Sequence, residues 1–440
     1  MHLRIAWTST LATLCASVAS AGVTVIPPGS PFSALIDAVA VAQDGDVILV
    51  KGGGPYQGPV VIDGKALTLV SEQGPAVTIN SRLGVTNLPA GKVVVVSGFT
   101  INGGSQGSDN PAPSSPSGAG IYVFDCAGSV RVLSCTLNGG NGSVPKPGGH
   151  AAKVRNSPDV AFSNCTMTGG KGAGGGMAGN GGDGGHGLYC ENAFVALYDG
   201  VLAGREGGSG GFSAGDGGHG ARVFLGRGLF AADSTFTGAN AGHNNCCEDT
   251  SLFCQSVVDF PGPLAGIGGS GVRVESRARA HLLGNAYAGG LGGTVSCPFP
   301  GPGSDGVGLN GAPSDVFTFP AQPRALVAPR TVREGASASI TITGDPGDEV
   351  RLLVQPNTGF VEVLGWRGVL LSYPATPGPA CWKQLGTIPS SGALTHTLAV
   401  GELGPGVQQE TWHVQALVKS PAFGYVLTSY RTLTMLDSAL

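Results

Sequence analysis

Between residues 98 and 290 one pattern recurs, and it varies in length at a single place. Aligned on SGAGIYV, GGHAAKV, GGHGLYC, GGHGARV and GGSGVRV, its anchors are Ala119, His150, His186, His219 and Ser270. From each anchor to a later bulky residue (Leu137, Met167, Leu202, Phe236, Tyr287) the separation is 18, 17, 16, 17 and 17 residues. From that residue to the next anchor it is 13, 19, 17 and 34. A fixed part joined to an elastic part is how a solenoid reads: a stacked core resists length changes, and loops on one side absorb them.

Within the fixed part, apolar columns alternate with period two. Seven residues before the bulky position stand Val130, Val160, Val195, Leu229 and Ala280, and five before it Val132, Phe162, Leu197, Ala231 and Leu282. Near the anchors the pairs Ile121/Val123, Ala152/Val154, Leu188/Cys190, Ala221/Val223 and Val272/Val274 are again two apart. Val94, Val96, Ile101 and Gly103 supply an earlier copy. Alternation by two places such residues on one face of a strand. Glycine follows two residues after each bulky position (Gly139, Gly169, Gly204, Gly238, Gly289), which suggests a corner needing positive φ. Two strands joined by a turn, with a third in the elastic segment, make one coil. A β-propeller repeats at a similar interval but needs four strands per blade, and two are clear here.

The chain has 440 residues, 77 of them Gly, and only 12% are charged. Such Gly content alone would suggest disorder, but the aliphatic columns provide a core. A net charge of −4 with no Lys/Arg cluster argues against a nucleic-acid partner. His2 and Arg4 precede an apolar run that ends at Ala19-Ser20-Ala21, so residues 1–21 read as a secretory signal. No other stretch is long and apolar enough to span a bilayer. Localisation is therefore expected to be secreted or at the cell surface. Nine cysteines remain after cleavage, an odd number in an oxidising compartment. Cys246, Cys247, Cys254 and Cys297 fall in long elastic inserts, where bridges would restrain the loops. Cys135 and Cys165 share a column on adjacent coils, placed either to bridge or to stack as buried thiols.

Residues 31–43 have the pattern of an amphipathic helix, with Phe32, Leu35, Ile36 and Val39 on one stripe, Ser30 as N-cap and Pro31 in the first position. Placed there, it would cover the open end of the solenoid. This helix, the run Asp44-Gly45-Asp46-Val47-Ile48, the triplet Tyr56-Gln57-Gly58 and the run Gly64 to Leu69 resemble the opening of secreted pectate-lyase-like β-helix proteins. The resemblance extends from residue 32 to about 310 and implies a right-handed parallel β-helix. It leaves activity open, because that superfamily includes lyases, hydrolases, esterases and epimerases. From about residue 316 the Gly repeat stops. Segments such as SASITITG, DEVRLLVQ, ALTHTLAV, TWHVQALV and YVLTSYRTLTML suggest a small antiparallel β-sandwich, with Pro320 to Pro329 as linker. This part resembles the C-terminal β-domains of exported bacterial repeat proteins. The expected organisation is all-β: signal 1–21, β-helix with Gly-rich loops 22–315, sandwich 316–440.

Two constellations could carry chemistry. The pentapeptide Asp-Gly-Gly-His-Gly occurs at Asp183–Gly187 and Asp216–Gly220 in the same register. Asp183, His186, Asp216 and His219 would line up with His150 as a divalent-metal site, or ladder along a coil edge because duplication carried them there. Gly-His-Gly also occurs in polygalacturonases, but no Asp-Asp pair accompanies it, so the hydrolase reading does not carry over. The Gly-rich inserts lack the nine-residue period of calcium-binding repeats and read as connectors. Second, Tyr122, Lys153, Tyr189, Arg222 and Arg273 share one outward column, a strip suited to a glycan or a solvated sheet face. The residues lead to an exported non-catalytic protein with a structural, adhesive or glycan-binding role. The expected partner is a polysaccharide or cell-envelope component, and no cofactor is expected apart from a divalent metal at the His/Asp group. The alternatives are a polysaccharide lyase or hydrolase with a groove on the helix side, and a metal-dependent surface protein.

Overall fold

The computed structural model describes residues 21–104, 118–176, 179–244, 265–294, 302–320, 322–372 and 382–440. The signal up to residue 20 and Cys246, Cys247, Cys254 and Cys297 lie outside the described residues.

Residues 22 to 319 form parallel β-sheet throughout, with strands laid in three stacks. One coil shows the order: Ile121–Phe124 in one stack, Ser129–Leu133 in the next, Thr136–Asn138 in the third. Each strand pairs in parallel with its counterpart one coil on, in the register that the columns require. Ile121 pairs Ala152, Val130 pairs Val160, and Leu137 pairs Met167. The same registers continue through Leu188, Val195 and Leu202 to Ala221, Leu229 and Phe236. All three strands of a coil fall in the fixed segment, so the elastic segment supplies no third strand. The inward column residues are almost completely buried, each contributing ~1.5–3 kcal/mol where the side chain is large.

The corners between stacks are turned by polar residues in the left-handed region, not by the recurrent glycines. Asp125, Asn156 and Asn192 have φ of 52°, 50° and 47° at one corner; Ser134, Asn164, Asp199 and Asp233 have 51°, 54°, 52° and 48° at the next. Asn and Asp tolerate this conformation because their short side chains bond locally. Here they bond along the stack: Asn192 Nδ2 donates to Asn156 Oδ1 at 3.0 Å, and Asn156 Nδ2 to Asp125 Oδ1 at 2.9 Å.

The Gly-rich segments are ordered threads. After the third stack the chain runs out and returns, and every third amide donates to the same neighbouring thread. Gly169, Gly172 and Gly175 donate to the carbonyls of Ala203, Glu206 and Ser209; Gly182 and Gly185 donate back to Ala173 and Gly170. A three-residue period without internal hydrogen bonds is polyproline-II geometry, whose backbone needs partners elsewhere. Gly139, Gly169, Gly204, Gly238 and Gly289 all lack positive φ. Their reason for being glycine is proximity: a Cβ on Gly170 would stand 1.9 Å from the Gly140 oxygen, and one on Gly204 2.0 Å from that of Gly218. The connectors expected from sequence are therefore a packed array of close Cα–H···O contacts.

One α-helix, Ala34–Val41, is present among the described residues, three residues shorter at its start than expected. Ser33, not Ser30, precedes it; Ser30 Oγ bonds the Pro27 carbonyl instead. Leu35, Ala38 and Val39 are buried in the first coils' core, while Phe32 is exposed because residues 31–33 form a turn ahead of the helix.

Val316–Phe319 still belongs to the parallel stack, pairing with Arg279–Leu283. The C-terminal sheets begin at Leu326–Val327. The Pro320–Pro329 run is no free linker: Leu326 is buried, and the buried Arg324 bonds Asp348 at 2.7 Å and Asp345 at 2.6 Å. A three-stranded antiparallel sheet and a mostly antiparallel seven-stranded sheet share one core, including Ile340, Ile342, Val350, Val414 and Leu433. This module lies against the outer face of the second stack, where Val95, Ala161, Ala196, Tyr198 and Phe230 cluster with Val369, Leu371, Val426 and Tyr430.

Candidate functional site

The five strip residues stand in one column. Tyr122 pairs Lys153, Lys153 pairs Tyr189, Tyr189 pairs Arg222, and Arg222 pairs Arg273. Parallel strands set their spacing at ~4.8 Å. The side chains layer on one another: Lys153 Nζ lies 5.4 Å from the Tyr189 ring centre, and the Arg222 guanidinium 5.9 Å on its other flank. Tyr189 also stacks on His150 at 5.0 Å with 5° between planes. Such contacts hold long cationic side chains in place, which lowers the entropy lost when a ligand orders them.

Sequence reasoning missed a second column two residues on, although the same alternation could have found it. It holds Phe124, Arg155, Glu191 and Phe224. Tyr122 stacks on Phe124 at 5.6 Å, and Arg155 lies over Phe124 at 5.5 Å. Carboxylates temper the charge: Glu191 bonds Arg155 at 3.4 Å, and Glu275 pairs with both Arg222, at 2.9 Å, and Arg273. Burial pushes the Glu275 carboxyl up, but its two arginines outweigh that and hold it below the ordinary value. Four cations against two carboxylates leave the face positive.

A third column borders the strip. The imidazoles of His150 and His186 stack at 4.7 Å, and those of His186 and His219 at 4.9 Å. Each Nδ1 accepts a backbone amide one coil on: His186 N–H to His150 at 3.1 Å, His219 N–H to His186 at 3.0 Å, and Ser270 N–H to His219 at 2.8 Å. Asp183 and Asp216 do the same three residues earlier, accepting the amides of Asp216 at 2.9 Å and Ile267 at 2.7 Å. These are the outward positions of the Gly threads, where an amide would otherwise lack a partner. The repeated Asp-Gly-Gly-His-Gly thus has a structural explanation. Among the described residues no group of three or more His, Cys, Asp and Glu side chains converges on a metal position, and Nδ1 of all three imidazoles is already engaged.

Burial, helped by the neighbouring Arg273 and Arg222, lowers His219 to about 4; burial and the flanking His150 and His219 hold His186 well below its usual 6.5. In the unfolded chain these imidazoles gain protons near 6.5, so their neutral burial stabilises fully above that pH and ever less as pH falls toward 4. Thermal melts between pH 7 and pH 4 should therefore show falling stability, with a smaller slope in His219→Gln than in the wild type. Equal slopes would rule out a contribution from this stack.

Cys135 and Cys165 are free, buried thiols, so the bridging arrangement is not formed. Their Sγ atoms contact the carbonyls of Leu133 at 3.3 Å and Val132 at 3.4 Å. Burial pushes Cys135 up to about 11, far from the thiolate needed for exchange. They fill column positions as small apolar groups.

No protein-family model matches the chain, and no curated protein matches it. Among solved structures, the superoxide reductase (neelaredoxin) from Ignicoccus hospitalis aligns with 26% of this chain and 80% of its own, at 12% identity and a TM-score of 0.17, too low to inform either fold or function.

Proposed function

We propose that this chain is an exported, non-catalytic right-handed parallel β-helix with a C-terminal β-sandwich, and that it binds an acidic polysaccharide along the face carrying Tyr122, Lys153, Tyr189, Arg222 and Arg273. The single observation behind this reading is that the column is continuous over five coils, with cations layered between rings. A linear array with a net positive charge suits an extended anionic chain better than a compact ligand, and Tyr and His edges supply hydrogen-bonding groups between the charges. The pectate-lyase-like resemblance of the N-terminal coils supports the winding, and the signal-like segment supports export.

The test is to incubate the mature protein with acidic and neutral polysaccharides, with and without calcium. Binding of the acidic ones without turnover is expected. New reducing ends or unsaturated products would instead establish a lyase or hydrolase. In the double variant Lys153→Ala/Arg273→Ala, affinity for the acidic polymer should fall about tenfold (~1.4 kcal/mol). The remaining binding should weaken with salt. Unchanged affinity in the double variant would remove the strip from the binding surface.

A further inference from the structure

A pocket of about 230 Å3 opens around the corner from the strip, lined by Phe194, Arg227, Gly228, Leu229, Arg279 and His281, with Glu362 from the C-terminal module. Its origin is local. Phe194, Gly228 and Arg279 occupy one outward column on three successive coils. With no side chain at Gly228, a slot is left between a phenyl ring and a guanidinium. Phe194 is fixed from behind by Phe360 at 4.6 Å, and His281 is held edge-on to Phe317 at 5.1 Å, 3.6 Å from Glu362.

Two features set this corner apart. Asn192 makes the turn in one coil, whereas Leu225 and Gly226 stand opposite it in the next, so the strand bulges and Arg227 is re-aimed. The bulge holds Leu225 at φ 59° and Arg227 at φ 51°, a conformation costly for side chains of this kind. Further, among the described residues neither Arg227 nor Arg279 makes a hydrogen bond or ion pair, unlike Arg155, Arg222 and Arg273. A strained arginine and an unpaired one meet over an apolar wall.

We propose that this pocket binds a small ring-shaped carboxylate. The carboxylate pairs with Arg227 and Arg279, the ring lies against Phe194 in the slot above Gly228, and His281 and Glu362 bond any ring hydroxyl. The volume is below the ~300–1,000 Å3 usual for drug-sized ligands, which limits the guest to a single ring. A uronic acid and an aromatic acid share this chemistry.

The test titrates the full mature chain with sodium glucuronate and, separately, sodium benzoate, observed by calorimetry. Saturable binding of at least one is expected: glucuronate alone would assign a sugar acid, and benzoate alone an aromatic acid. Arg279→Gln and Arg227→Gly should each weaken it tenfold or more. Because glycine relieves the left-handed strain, Arg227→Gly should also melt at or above the wild-type temperature. Binding of neither probe, or wild-type binding in both variants, would overturn the assignment. A lower melting temperature in Arg227→Gly would likewise show that Arg227 serves the packing of the corner rather than a ligand. Lys153→Ala/Arg273→Ala should leave binding of the small probes unchanged, so failure of the strip and failure of the pocket are read separately.

Discussion

Gly170→Ala should destabilise the protein at the upper end of the ~1–3 kcal/mol range for overpacking, or beyond it. Most surface glycines tolerate alanine, and where φ is compatible the change stabilises by ~0.4–1 kcal/mol through the unfolded chain. Gly170 has compatible φ but no room: its Cβ would lie 1.9 Å from the Gly140 oxygen and 2.5 Å from its carbon. Both atoms are backbone, so no rotamer change can yield, and one thread must move away from the other. Movement breaks the period-three hydrogen bonds on each side, including Gly170 N–H to Gly149 and Gly185 N–H to Gly170. Gly174 is the control. It lies in the same thread without positive φ, and its Cβ would meet nothing closer than the Ser209 oxygen at 3.5 Å. Gly174→Ala should melt at or slightly above the wild-type temperature while Gly170→Ala melts well below it. Equal melting temperatures would mean the threads are not packed as described.

Asp159→Ala is expected to cost ~3–5 kcal/mol, the penalty for stranding a buried charge. Arg131 is fully buried between the second stack and the C-terminal module, and its guanidinium bonds Asp159 at 2.6 Å. It also donates to the Thr358 hydroxyl and the Gly359 carbonyl, each at 2.9 Å, and lies over the Tyr430 ring at 5.8 Å. Asp159 is the carboxylate that balances it. With that carboxylate gone, the cation faces only neutral dipoles, and water must enter or the module must lift. Arg131→Met/Asp159→Ala removes both charges and should recover a large part of the loss, since paired removal from an interior is often close to neutral. Limited proteolysis of the 320–330 segment, compared across the three proteins, reports whether the module has lifted. If Asp159→Ala melts like the wild type, the ion pair does not hold the interface.

The stacked core was legible because two signals agreed: side chains alternating by two, and a constant length between Ala119 and Leu137 or His219 and Phe236. Together they fix the register, and the pairing of Val130 with Val160 and Phe162 with Leu197 follows from counting. The strip was legible for the same reason, since Tyr122 and Lys153 alternate with column residues. The threads were not. Glycine was read as a conformational requirement of its own residue, whereas Gly170 and Gly204 are dictated by the carbonyl of a neighbouring segment. The spacing Gly181-Gly182-Asp183-Gly184-Gly185-His186 carried the sign: two glycines and an outward residue, twice over. Docking of the C-terminal module also escaped notice, although Val95, Ala161, Ala196 and Phe230 are apolar at outward positions. An apolar outer face on a sheet asks for a cover. Arg131, in the same column, looked like a solvated cation because its partner Thr358 is 227 residues away.

The threads also impose a reading frame on the protein. A residue's place in its triplet decides whether it is pressed between neighbours or displayed, as Lys171, Asp183 and Glu206 are. Inserting one or two residues in a thread would rotate every later glycine out of its slot and bring a side chain in. An insertion of three on the way out with three on the way back preserves the frame, and the first two elastic segments, of 13 and 19 residues, differ by that sum. Growth of this array is thus quantised, while the identity of each displayed residue stays open to change. A lineage could alter what the array presents to its surroundings, one outward side chain at a time, without disturbing the core it is built on.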